Sequence, residues 1–157
     1  MKKLFLLFLL AFGVSIFTQA QVKETVAVYV SGDVSDNYKK IIGSKAVTRI
    51  SRSENYAAVE RTDAFLDVLT KEHDYQLSGE VRDDQIAALG VRFGAKYVAV
   101  FEAIQTYDSG FLSARFIDVE SGMVMKSADT NRTIKSTEDW SAMVNNVAFR
   151  LVSRTSK

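Results

Sequence analysis

The chain has 157 residues, with 20 lysines and arginines against 19 aspartates and glutamates, one histidine and no cysteine. This balance excludes the basic excess that marks a nucleic-acid partner, and the absence of thiols excludes a disulfide framework or a cysteine-ligated metal centre. The length predicts one domain, large enough to bury about two thirds of its unfolded-chain surface without covalent staples.

The first element is read as a leader. Two lysines, an apolar run from Leu4 to about Phe17, and small or polar residues at Thr18 and Ala20 make up the three parts of a secretory signal peptide, with cleavage expected after Ala20. The run is short for a bilayer-spanning helix, which needs roughly 20 apolar residues, and no second such run follows. A lipoprotein leader requires a cysteine at its cleavage point, so no lipid anchor is expected there. Residues 1–20 are therefore assigned to the leader and 21–157 to the domain, which carries 18 basic and 19 acidic side chains and no transmembrane segment.

Thr25 to Val30, TVAVYV, is a β-branched and aromatic run that predicts a strand covered on both faces. SGDVSDN breaks it. From Asp36 the positions Tyr38, Ile41, Ile42, Ala46 and Ile50 recur at helical spacing, predicting a helix to about Arg52. YAAVE, Tyr56 to Glu60, predicts a second strand, after which Thr62 caps a helix striped by Phe65, Leu66 and Leu69 that ends near His73. YQLSGEV is a loop around Gly79, and a third helix runs from about Asp83 to Phe93, closed by Gly94. AKYVAVFEAI, GFLSARFIDV and MVMKSADTN predict three successive strands, joined by TYDSG and by ESG, where Gly122 suits a left-handed turn position. STEDW is a capping-box signature, Ser136 with Asp139 three later, opening a final helix striped by Trp140, Met143, Val144, Val147 and Leu151.

The order β-α-β-α-α-β-β-β-α predicts a single α/β domain with a mixed five-stranded sheet and packed helices. Strands separated by helices pair in parallel through right-handed crossovers, and the last three form an antiparallel meander.

Chemistry-capable side chains concentrate in VERTDAFLDVLTKEHDYQLSGEV, residues 59–81. Zinc needs three or four converging ligands, but Glu72, His73 and Asp74 are neighbours on a helix and point about 100° apart. A histidine at a helix C-terminus interacts favourably with the negative end of the dipole, and that is the plainer reading of His73. A serine nucleophile at Ser78 lacks the small-residue frame of a strained elbow. Asp33, Asp36 and Asn37 do not follow the spacing of a calcium loop and suit turn and cap positions. No catalytic, metal or cofactor constellation is read from the sequence.

Three ordered segments carry a resemblance. VERTDAFLDVLTKEHDYQLSG resembles a pattern in which an Glu-Arg pair closes a strand, a leucine-bearing helix ends near a glutamate, and Gln and Ser-Gly follow. IAALGVRFGAKYVAVFEAI resembles the same family's small-residue helix, Gly-Ala and aromatic-led strand, and SARFIDVESG its strand ending in Arg, Asp and a glycine turn. Together they resemble the CsgG-like domain of the curli secretion component, of LpoB-like activators of penicillin-binding proteins and, more distantly, of the amino-terminal domain of TolB. The resemblance gives structural weight to Glu60, Arg61, Glu72, Gln76, Ser78, Gly79, Gly94, Arg115, Asp118 and Gly122. His73 stands where the family often has glutamine, Lys96 where it often has aspartate, and Glu102 where glycine is common.

The resemblance implies a non-enzymatic cell-envelope protein, periplasmic or outer-membrane-associated, whose partner is another envelope protein or a second copy of itself. It further implies that Arg61, Glu72, Arg115 and Asp118 form charge-assisted bonds holding helix and loop to the sheet. Two alternatives stay open: an oligomeric secretion component without the curli channel's membrane hairpins, and a small hydrolase or metal-binding protein using His73.

Overall fold

The computed structural model describes residues 22–59, 87, 90–91 and 94–153. Its strands are β1 (Glu24–Ser31), β2 (Tyr56–Val59), β3 (Tyr97–Thr106), β4 (Ser109–Asp118) and β5 (Val124–Thr133); its helices are α1 (Asp36–Ser51) and α2 (Thr137–Val152). Residues 87, 90 and 91 also have helical backbone. The leader and the helix assigned from Thr62 to His73 lie outside the described residues.

The sheet order is β2-β1-β3-β4-β5. β1 pairs in parallel with β2 and β3, while β3, β4 and β5 form the antiparallel meander. This is a mixed five-stranded sheet in a single α/β domain. The β3–β4 turn is tight, with Thr106 opposite Ser109 and Tyr107 at φ 53°. Between β4 and β5 the register shifts at Phe116/Ile117, a bulge that lets Met125 stand outside the regular pairing.

Both described long helices cover one face. α1 begins at Ser35, whose hydroxyl accepts from the Tyr38 N–H at 3.4 Å, and buries Ile42, Ala46 and Ile50 at four-residue spacing. α2 buries Trp140, Met143, Val144, Val147 and Leu151. These pack on Val26, Val28, Phe101, Leu112, Ala114 and Phe116 to form the main core. Burying a side chain as large as Leu151 or Phe101 stabilises the fold by about 1.5–3 kcal/mol. The second face holds a smaller cluster, in which Ala27, Val98, Val100 and Ile117 meet Ala87 and Ala95. Alternation along β1 thus feeds two cores, which is why its sequence is apolar from Val26 to Val30.

Two glycines set close approaches. Gly32 follows β1 at φ +107°, where an added Cβ would lie 2.7 Å from the Ala103 backbone nitrogen. Gly90 lets its helical turn approach the sheet, since a Cβ there would press 2.8 Å from a Val98 methyl.

Candidate functional site

The sheet end where β1 enters gathers charged and aromatic groups. Lys96 pairs with Glu24 across the β1–β3 boundary, and this bond raises the lysine pKa. The Lys96 N–H donates to the Thr25 carbonyl at 3.0 Å and to its hydroxyl at 3.1 Å, while that hydroxyl donates to the Gly94 carbonyl at 3.0 Å. Gly94 itself has φ +60°; its N–H donates to the Val91 carbonyl, and the Ala95 N–H reaches back to Gly90, both at 3.1 Å. That pair of bonds closes a helix C-terminus. Beneath them Tyr56 meets Tyr97 and Phe116 edge-on at 6.0 and 5.3 Å, and Tyr97 stacks on Phe116 at 6.2 Å. Partial burial raises the Tyr56 phenol pKa, which keeps it neutral.

Asp118 ends β4 and accepts from the Ser121 N–H and hydroxyl, each at 2.8 Å. These bonds, the backbone one foremost, hold its carboxyl below the ordinary range. Gly122, at φ +68°, donates its N–H to the Asp118 carbonyl at 2.8 Å and completes the turn. Arg115 lies on the opposite side of β4 from Asp118, three residues away, and its Nη1 is 3.7 Å from Glu102 Oε2. Of the residues weighted by the resemblance, the structure brings Gly94 and Asp118 to one end of the sheet and sets Arg115 on its other face. Glu60, Arg61, Glu72, Gln76, Ser78 and Gly79 lie outside the described residues, as does His73.

Beside this end, the last turns of α1 and α2 and the α1–β2 loop enclose an open cleft of about 370 Å³. Arg49, Arg52, Ser53, Glu54, Asn55, Phe149, Val152 and Ser153 line it. The Arg49 guanidinium lies over the Phe149 ring, 4.9 Å from its centroid, and the ring is 52% exposed. Helix C-termini carry partial negative charge that would repel an anion, but two lysines cover these ends. Lys23 Nζ donates to the Ser53 carbonyl at 2.8 Å and lies 3.5 Å from that of Ser51; Lys126 Nζ donates to the Leu151 and Ser153 carbonyls at 3.1 and 3.0 Å.

Sequence reasoning missed this cleft because its residues come from three distant segments. The available signal was Phe149, an aromatic side chain off the apolar stripe of α2. Among the described residues no group of three His, Cys, Asp or Glu side chains is placed to hold a metal ion. No helix among them is long and apolar enough to cross a membrane.

No protein-family model matches the sequence, and no curated protein matches it. Solved structures do match the fold. PelC from Paraburkholderia phytofirmans, solved as a dodecamer, aligns at 15% identity with a TM-score of 0.53, covering 87% of this chain and 91% of that one. The C-terminal domain of LpoB from Escherichia coli aligns at 14% identity with a TM-score of 0.50, covering 85% and 95%. Lipoprotein GNA1162 from Neisseria meningitidis aligns at 16% identity with a TM-score of 0.50, covering 71% and 81%. The fold is LpoB-like.

Proposed function

We propose that this chain is an exported, non-enzymatic protein of the cell envelope that works by binding another protein. What supports the reading most is the extent of the LpoB-like match, which spans 95% of the LpoB domain and 85% of this chain. The leader assigned to residues 1–20 supplies the route of export, and the mature domain acts in the periplasm or at the outer membrane. Glu60, Arg61, Glu72, Gln76, Ser78 and Gly79 are proposed to brace the surface, together with Gly94, Arg115, Asp118 and Gly122.

The test is cross-linking in intact cells, followed by capture through a C-terminal tag and identification of the attached proteins. A reproducible envelope partner is the expected result. A chain that stays uncross-linked in the envelope and captures nothing would overturn the reading.

A second reading, self-assembly, is favoured by the likeness to PelC, which was solved as a dodecamer. The mass of the purified protein in solution separates the two. A monomer or dimer fits a binding module, and a defined high-order ring fits an assembly component.

A further inference from the structure

We propose that the cleft between the C-terminal ends of α1 and α2 is a docking site for an acidic peptide segment of a partner protein. The inference rests on the protein-binding reading above and names the chemistry of the contact.

Arg49 and Arg52 both line the cleft, and neither forms an ion pair with a described carboxylate. The face of Arg49 is occupied by the Phe149 ring, which leaves its edge N–H groups as a preset fork for a planar carboxylate. Stacking also lowers the entropy lost on binding, because the guanidinium is already held in place. Lys23 and Lys126 neutralise the helix-end carbonyls, so an incoming carboxylate meets two guanidinium groups and not two negative dipole ends.

Phe149 and Val152 supply an apolar wall beside the arginines. A ligand that alternates carboxylate and aliphatic side chains meets both surfaces. An anionic membrane fits less well. Two arginines fall short of the roughly four to eight clustered basic residues that bind anionic lipid; Glu54 on the lining opposes either anion, and the apolar wall of Phe149 and Val152 offsets it for a peptide that carries aliphatic side chains.

The experiment uses the purified protein and a fluorescein-labelled peptide of alternating glutamate and leucine, read by fluorescence polarisation. A lysine-for-glutamate peptide and vesicles of phosphatidylglycerol in phosphatidylcholine serve as comparison probes. The glutamate peptide is expected to bind, to weaken as salt rises, and to bind about tenfold or more weakly to Arg49→Ala and Arg52→Ala. Lys45→Ala, exposed on α1 and outside the cleft, should bind like the parent. Arg52→Glu, at an exposed position, provides a second charge-reversed variant should Arg49→Ala fail to fold.

Equal binding of the two peptides, or affinity unchanged in the Arg52 variants, would overturn the proposal. Arginine-dependent binding of vesicles without binding of the glutamate peptide would overturn it in favour of a lipid surface. Should cross-linking in cells identify a partner whose capture survives Arg49→Ala and Arg52→Glu, the cleft assignment fails while the protein-binding reading stands.

Discussion

Arg132 Nε lies 2.9 Å from Asp139 Oδ1, an ion pair that joins the end of β5 to the first turn of α2. The other carboxylate oxygen accepts the backbone N–H groups of Lys135 and Ser136 at 2.9 and 3.1 Å. One aspartate thus fixes strand, linker and helix start together. These bonds, led by the Lys135 N–H, hold its carboxyl below the ordinary value of 3.8.

A carboxyl whose pKa is lowered by folding adds stability above its unfolded pKa and loses it as pH falls through the folded one. Asp118, lowered in the same way by Ser121, adds to this. The melting temperature should therefore drop as pH falls below about 4. In Asp139→Asn the neutral-pH melting temperature should be lower and the acid-induced drop shallower. A variant with an unchanged acid profile would show that the carboxylate contributes nothing through its charge.

Trp140 is fully buried, 5.9 Å from the Tyr38 ring, and its Nε1 has no acceptor among the described residues. Trp140→Ala should cost about 3–5 kcal/mol in denaturant unfolding. Trp140→Phe should cost much less, since it keeps a ring in the core and removes an N–H whose unsatisfied burial costs about 1–3 kcal/mol. Equal losses in the two variants would show that the indole N–H is satisfied in solution.

Gly94 and Gly32 both have positive φ but different surroundings. Among the described residues, nothing beyond its chain neighbours lies within 4 Å of a Cβ at Gly94, so Gly94→Ala should cost only the left-handed penalty of about 1–2 kcal/mol. Gly32→Ala adds a collision with the Ala103 backbone and should cost more. Circular-dichroism melts of the pair test the order, and Gly94→Asn should recover part of the loss at Gly94.

Lys126 reaches from β5 to the Leu151 and Ser153 carbonyls. Lys126→Met keeps much of the stem while removing the charge, and should destabilise the protein by about 1 kcal/mol. Faster amide exchange in the last turn of α2 would locate the loss there, and protection equal to the parent would argue against the tie.

The order of the five strands and of the first and last helices was legible because periodicity is local. The stripe from Trp140 to Leu151 and the apolar run from Val26 to Val30 in β1 each report their surroundings within a few residues. Strand ends were less legible: β3 and β5 each run two residues past the predicted Ile104 and Asn131. Cross-strand pairing, not side-chain preference, sets those limits, as Thr106 opposite Ser109 and Ser109 opposite Thr133 illustrate. The contact between Arg115 and Glu102 was hidden for the same reason, since it forms only once β3 and β4 are in register. The cleft was the least legible feature, because the stacking of Arg49 on Phe149 depends on how two helices 100 residues apart end beside each other.

The sheet order places the first strand between β2 and β3, and Thr25 finds Lys96 only 71 residues later in the chain. β1 therefore has no complete pair of neighbours until Tyr97–Thr106 is available. β3, β4, β5 and α2, by contrast, connect through short turns and can form early, since nearby contacts lose less loop entropy. We expect pulse-labelled hydrogen exchange during refolding to protect β4 before β1; protection of β1 first would reject this order. An amino-terminal fragment that ends before Tyr97 would therefore leave one edge of β1 open, without the strand that completes its pairing.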